Sequence, residues 1–530
     1  MAIILAVLFI IAEQTFRITN PLLEFNLNLK LFAEFFIINF LIISLKSKKA
    51  ILIILYIMVS IMFFQFVHFN YYGSWIFPME YLLFFTEFDE VVKTFETVLY
   101  MSYFPLFITT ILAILIRLII KNLSDERLKI PFLSYILIGY LVFLPIKVYV
   151  KDSRRGSRPD VERNVIRNTL WTSAYLMGNI LPRKFFGDDK LIQAVVKTPP
   201  VDEKNPDVNV VMIMGESLTL KYVSLYDYNI TTTPYLESLK NDENFLYKKA
   251  ISAGLMTAVS LPSFFNMIYR ADSMPQILST NTCLFKMASN NGFETHFYSA
   301  QSRVGLSALK SYMCNRWINN YKDGSNKSGD KNRGVFDDYL LENLDKVDFS
   351  KPNFIVLHQF GSHSPYEKRY PESFNKFKQD PKLPEWKNNL NNYQNSILYT
   401  DYTISKIIEM LKAKTKKKTY IIFTSDHGEN VGHVGERGHG NFSREMKYSV
   451  PFFIYTINGA KPPKNLYSKH NYTSHYEISK ILAQALGYDT KNMRSSKDGY
   501  FICGQDIRGL SGILDIKFDE NGTMIKKRIR

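Results

Sequence analysis

Carboxylates and imidazoles in this chain gather at the ends of short apolar runs. Glu216 follows NVVMIMG, His358 follows FIVL with His363 just beyond, Asp426 and His427 follow YIIFTS, and His439 comes a little later. Five of the nine histidines fall between positions 358 and 439. A lone histidine beside an apolar run is more often structural, and His68, His470 and His475 are read that way. Five histidines with two carboxylates favour a metal site over chance clustering. Glu216, Asp426 and His427 bring two hard oxygen ligands and one imidazole, which suits zinc or manganese and disfavours copper or an iron–sulfur centre. His363 and His439 form a second group, fit for another metal or for phosphate oxygens. A hydroxyl beside such a metal becomes a usable nucleophile as its pKa falls. In SAGLMTAVSLP the residues alone leave Ser252, Thr257 and Ser260 open for that part. The stretch reads as a loop feeding a helix that begins near Ser260–Pro262. A helix N-terminus favours phosphate through its free amides and dipole.

The element that must hold these groups is a sheet. Asn209–Met214, Glu294–Ser299, Asn353–Gln359, Thr419–Thr424 and Pro451–Thr456 read as buried strands, with helical spacing between them, as over Asp401–Lys412. That alternation predicts a mostly parallel central sheet flanked by helices. Ligands of such sheets bind beyond the carboxyl ends of the strands, where the reactive residues sit.

The first 150 residues have another character. Ile3–Ala12, Leu31–Leu45, Ala50–Phe69, Val98–Ile120 and Pro131–Val150 are apolar, and a membrane-spanning helix needs about 20 such residues. Lys46, Lys48 and Lys49 follow the second stretch; Arg117, Lys121, Arg127 and Lys129 lie at the end of the fourth and after it. Between the third and fourth come Glu80, Glu87, Asp89, Glu90 and Glu96 against Lys93. Basic loops face the cytoplasm, so the acidic loop and everything after Val150 are expected outside. The expected organisation is a transmembrane domain over 1–150 with about five helices, a basic, amphipathic linker over 151–205, and a catalytic domain over 206–530. Arg154, Arg155 and Arg158, with Trp171 and Tyr175 in the stretch Asn164–Ile180, suit a linker lying on the membrane surface.

The formal charge of +16 serves nucleic acid or an anionic membrane. The long apolar runs favour the membrane, and no nucleic acid partner is expected. Cys283, Cys314 and Cys503 make no CxxC pair, which argues against a zinc ribbon or a disulfide framework. One Cys283–Cys314 bridge and three separate thiols both stay open.

VVMIMGES, SAGLMTAVSLP, IVLHQFGSHSPYEKRYP, TSDHGE and GHG together resemble the phosphoethanolamine transferases of the alkaline-phosphatase/sulfatase superfamily, of the lipid A-modifying type. The resemblance implies a five-helix transmembrane domain joined to an α/β sulfatase/alkaline-phosphatase-like catalytic domain. It implies Thr257 as the nucleophile, with Glu216, Asp426 and His427 as its metal partners. Zn2+ is the implied metal, a second ion staying open and Mn2+ not excluded. His363 and His439 match contacts to the transferred phosphate or a second metal, and His358, Gln301 and Arg303 match substrate contacts. The implied donor is phosphatidylethanolamine, and the implied acceptor is lipid A or lipopolysaccharide core. The resemblance also implies a monomer among membrane lipids, in a bacterial inner membrane with its catalytic domain in the periplasm. Ala253 and Ser263 stand where lipid A-modifying members carry cysteines, and Thr219, Tyr222 and Ile230 also depart from the pattern. These changes leave the metal set intact and bear on the acceptor. The nearest alternative is a phosphoglycerol transferase of the same superfamily, against which GSHSPYEKRYP speaks. No CxPxR site supports a formylglycine sulfatase. A non-catalytic membrane protein is disfavoured by the complete set Glu216, Thr257, Asp426 and His427.

Overall fold

A computed structural model describes residues 1–20, 23–72, 75, 76, 78, 81, 99–124, 130–150, 156, 159, 160, 163–182, 195–270, 273–303, 305, 306, 312–331, 333–431, 438, 439, 442–461, 472–494, 499–504, 507, 513–519 and 523–528. The chain divides into two units, Met1–Lys190 and Leu191–Arg530.

In the first unit, α1 (Ala2–Thr19), α2 (Leu29–Ile43), α3 (Lys48–Tyr72), α4 (Tyr103–Lys121) and α5 (Pro131–Val150) coincide with the five apolar stretches. Three helices, Ala2–Thr19, Lys48–Asn70 and Tyr103–Lys121, are long and apolar enough to cross a membrane. The second helix has 15 residues, and the apolar part of the fifth, Tyr135–Val150, is also short. Phe9, Phe16, Phe35 and Phe66 are buried between helices, whereas Ile53, Ile57, Phe64, Ile114, Leu118 and Phe143 stay exposed. Exposed apolar side chains on so many helix faces suit hydrocarbon rather than water.

The next helix, α6 (Val165–Tyr175), falls within the stretch expected as a linker. Trp171 and Tyr175 are buried in this unit. Acids of the first two helices hold its start: Glu13 accepts from the Val165 amide at 3.2 Å, and Glu34 pairs with Arg167 at 2.6 Å. Lys151, Arg154, Arg155 and Arg158 lie outside the described residues, as do Glu80, Glu87, Asp89, Glu90, Lys93, Glu96, Arg127, Lys129 and His470.

The second unit is built on β1 (Val208–Gly215), β2 (Phe245–Ile251), α7 (Thr257–Phe265), β3 (Glu294–Ser299), β4 (Asn320–Lys322), β5 (Asn353–His358), α8 (Glu385–Lys414), β6 (Lys418–Ser425), β7 (Ser449–Ile457), β8 (Tyr472–Ser474) and α9 (His475–Ala485). Its sheet runs β4-β3-β5-β1-β6-β7-β2-β8. Among the described strands only β7 opposes the rest, pairing antiparallel with both of its neighbours. Every residue of β1 is buried. Val210, Met212 and Met214 enter one core, while Val211 and Ile213 enter the core on the opposite face. Burial on both faces is why parallel strands read as unbroken apolar runs. Each such side chain contributes about 1.5–3 kcal/mol. Met214 registers with both His358 and Thr424, so the reactive ends of β5, β1 and β6 reach one edge. A three-stranded antiparallel sheet, β9 (Tyr500–Cys503), β10 (Ile513–Phe518) and β11 (Met524–Arg528), completes the unit. Cys283 and Cys314 are joined as a disulfide, and Cys503 is a buried free thiol.

A candidate metal and phosphate centre

Three side chains converge just past β1 and β6. One ligand atom from each of Glu216, Asp426 and His427 lies within 4.8 Å of the others, and all three residues are buried. His427 Nε2 is 3.5 Å from Glu216 Oε1 and 3.3 Å from Asp426 Oδ2. The neighbours orient these carboxylates. Ser217, held in the left-handed region at φ 56°, donates from its hydroxyl to Glu216 Oε1 at 2.7 Å and from its amide to Asp426 Oδ1 at 3.0 Å. Such backbone strain in a non-glycine residue persists only where the surroundings impose it. The His427 amide also donates to Asp426 Oδ1, at 2.7 Å. Asp426 Oδ2 is buried and has no hydrogen-bond partner among the described residues.

Burial opposes charge on both acids. At Glu216 the imidazoles of His427, His363 and His358 overcome burial and hold the carboxyl below the usual range. Asp426 is pushed well above that range by burial and by the charge on Glu216. Two buried carboxylates facing each other with one oxygen unspent fit a cation: it would let both ionise and give that oxygen a partner. Two oxygen donors and an imidazole agree with zinc or manganese.

The open choice among three hydroxyls is narrowed by geometry. Ser252 Oγ donates to the Gly254 carbonyl at 2.8 Å, and Ser260 Oγ donates to the Asp426 carbonyl. Thr257 Oγ1 donates to Glu216 Oε2 at 3.1 Å and lies 3.3 Å from His427 Nε2. The expected helix begins earlier than Ser260–Pro262: Met256 caps it and Thr257 is its first residue. The hydroxyl therefore stands at the helix N-terminus itself, where first-turn amides lack intrahelical partners.

The remaining expected residues divide. His439 lies 4.2 Å from His427 with the rings tilted by 39°, and His363 lies 6.3 Å from His439, centroid to centroid. His439 Nδ1 pairs with Glu429 Oε2 at 2.9 Å, while His363 Nδ1 contacts the Ser364 carbonyl at 2.5 Å. His358, expected to touch substrate, is fully buried. It contacts Ser299 Oγ at 3.0 Å and Gln301 Nε2 at 3.3 Å, and burial pushes its pKa down to about 4. It braces the site from within, because the last residue of β5 points into the unit. Gln301, expected at the donor headgroup, donates to Glu216 Oε2 at 2.6 Å. Arg303 pairs with Asp323 at 3.3 Å.

Several residues that position the centre were missed. Glu429, in TSDHGE, is buried against His439; its place in that motif was the available signal. Tyr393 of α8 donates to the Ser217 carbonyl at 2.7 Å and accepts from the Thr219 amide at 2.9 Å. Asp337 accepts from the Phe360 and Gly361 amides at 2.6 and 3.1 Å and so holds the loop leading to His363. No sequence spacing marked Tyr393 or Asp337.

A mostly parallel α/β sheet carrying a metal-ready centre and a helix-borne hydroxyl at its carboxyl edge defines the class as an enzyme domain. The family model "Sulfatase" matches residues 208–488, more than half of the chain, and the protein belongs to that family. It is 27% identical over 348 residues to "Phosphoethanolamine transferase EptA" of Helicobacter pylori, covering 63% of each chain. It is 27% identical over 350 residues to "Kdo(2)-lipid A phosphoethanolamine 7''-transferase" of Salmonella typhimurium, covering 60% of this chain and 59% of that one. The chain thus spans less than two thirds of the length of these relatives. The C-terminal periplasmic domain of EcEptC from Escherichia coli superposes with a TM-score of 0.48 at 21% identity, covering 58% of this chain and 93% of that one.

Proposed function

We propose that this chain is a phosphoethanolamine transferase of a bacterial inner membrane. It would take the group from phosphatidylethanolamine and place it on lipid A or lipopolysaccharide core. The observation that carries this reading is Thr257 Oγ1, 3.1 Å from Glu216 Oε2 and 3.3 Å from His427 Nε2 at a helix N-terminus. The likeness to the Helicobacter pylori and Salmonella typhimurium transferases supports the headgroup and the acceptor class. Within this reading the anchor is five-pass, the catalytic domain is periplasmic and the protein acts as a monomer.

Glu216, Asp426 and His427 would hold a zinc ion. It would supply positive charge that lowers the pKa of the neighbouring hydroxyl and offsets charge on phosphate oxygens. Thr257 Oγ1 attacks the donor phosphorus; an Oγ1–P bond forms as the P–O bond to diacylglycerol breaks. The Thr257 proton ends on the departing diacylglycerol hydroxyl. An acceptor oxygen then attacks the same phosphorus, Thr257 Oγ1 leaves and recovers a proton, and the acceptor loses one. His363 and His439 donate to non-bridging oxygens of the transferred group. Amides of the first α7 turn receive the remaining negative charge.

The test is mass spectrometry of the intact, zinc-loaded chain after incubation with phosphatidylethanolamine, comparing wild type with Thr257→Ala. A phosphoethanolamine-sized adduct on Thr257, absent from the variant, is expected. An unmodified wild type overturns the donor assignment, and a glycerophosphate adduct from a phosphatidylglycerol donor moves it to the phosphoglycerol alternative.

A further inference from the structure

His475 opens α9 at the far end of the sequence and belongs to no catalytic motif. It is 1% exposed, yet its ring reaches three elements of the centre. Nδ1 is 3.2 Å from the Ala253 amide, in the loop that approaches the nucleophile. The same atom is 3.2 Å from Ser260 Oγ, one helical turn beyond Thr257 on the same face of α7. Nε2 is 2.9 Å from the Ser425 carbonyl, at the residue before Asp426. An amide only donates and a carbonyl only accepts, so Nδ1 is the acceptor and Nε2 carries the hydrogen. Ser260 Oγ spends its one hydrogen on the Asp426 carbonyl, so it meets Nδ1 as a packing contact and ties α7 to the same strand end directly. Burial drives the pKa of His475 down to about 3, so the ring stays neutral and Nδ1 stays free to accept. Phe264 packs edge-on against it at 5.2 Å and fixes the ring plane.

We infer that His475 is a positioning residue for the transfer: its neutral imidazole locks the helix of Thr257 in register with the strand end that carries Asp426 and His427. The inference rests on Thr257 being the nucleophile of the proposed reaction. His475 makes no hydrogen bond to Thr257 or to any candidate ligand atom, so it acts through backbone placement alone. The hydroxyl has three close neighbours within about 3.4 Å, and misplacing reacting atoms by about 1 Å costs on the order of 10²-fold in rate.

The test uses the full-length, zinc-loaded protein as wild type, His475→Phe and His475→Asn. Phenylalanine keeps the ring volume and removes both hydrogen bonds; asparagine restores an acceptor near the position of Nδ1. The rate of Thr257 adduct formation, the KM for phosphatidylethanolamine and the zinc content per chain are measured together. For His475→Phe the maximal rate is expected to fall about 10²-fold, with KM and zinc content little changed, and His475→Asn is expected to recover part of the loss. A variant that melts earlier but keeps the full rate per zinc-loaded chain would make the residue merely structural and overturn the inference. Should His475→Phe fail to fold, His475→Asn decides by the same rate criterion. A crystal structure of the variant gives an independent reading: Thr257 displaced against Asp426 supports the inference, and an unmoved Thr257 overturns it. If wild type forms no adduct, the transferase reading falls by itself and that displacement still decides the role of His475.

Discussion

Gly361→Ala probes how tightly the loop before His363 is fitted to the metal ligands. Gly361 has φ 51°, a left-handed conformation that costs a residue with a Cβ about 1–2 kcal/mol. A Cβ there would stand 2.8 Å from the Glu216 carbonyl oxygen, 3.0 Å from its amide nitrogen and 3.2 Å from its Cβ. Ordinary contact begins at 3.4 Å, so the two backbones must part by roughly 0.6 Å, and neither can rotate aside as a side chain would. Strain and overpacking together should cost about 2–5 kcal/mol. Ser362 donates its amide to the same Glu216 carbonyl at 3.0 Å, so the displacement passes to the ligand. Since about 1 Å costs on the order of 10²-fold, roughly 0.6 Å should slow adduct formation about tenfold. Gly329 is the control: its φ is 71° and nothing lies within 4 Å of a Cβ there. Gly329→Ala should lose only about 1–2 kcal/mol and no rate. Urea unfolding and timed mass spectrometry of the adduct report both effects. If Gly361→Ala matches Gly329→Ala in both, the packing argument for this loop is wrong.

Asp426→Asn should abolish the gain in melting temperature that zinc gives wild type, while the chelated variant melts no lower than chelated wild type, because a buried carboxylate facing Glu216 is lost. A zinc-dependent shift that survives in the variant would count against Asp426 as a ligand. Asp401 accepts from the Tyr235 and Leu236 amides at 2.8 and 3.0 Å, yet burial raises its pKa from 3.8 to about 7. The folded chain therefore holds this proton longer than the unfolded chain, so stability falls as pH rises from about 4 to about 7, by roughly 4 kcal/mol for this group. Urea midpoints followed across that window should decline less steeply in Asp401→Asn; parallel curves would refute the assignment. Cys283 and Cys314 close a loop of separation 31, and losing the bridge in Cys283→Ser should cost about 4 kcal/mol. An unfolding midpoint unchanged by that substitution would mean the bridge constrains nothing in solution.

What was legible in the sequence follows from what a parallel sheet demands. Strands buried on both faces are written as near-continuous apolar and β-branched runs, so β1, β5, β6 and β7 showed themselves, and β3 did so by Thr295, Phe297 and Tyr298. Strands in register must end together, so Glu216 and Asp426 had to share an edge. β2 escaped notice because Lys248 and Lys249 interrupt its apolar run, yet it pairs with β7 along its whole length. The order of residues also names an edge without naming a face. His358 and His363 belong to one motif, but His358 ends a strand and turns inward to Ser299, whereas His363 follows a left-handed glycine and turns toward His439. The same blindness applies to partners distant in sequence. Tyr393 and His475 carry no motif of their own, and their hydrogen bonds to Ser217, Thr219, Ala253 and Ser425 exist only once the sheet brings those segments together. Side chains that face the reacting atoms can be named from a motif, because chemistry restricts their type. Those that hold the motif in place act on backbone amides and carbonyls, which every residue offers, and so they become visible only in the fold.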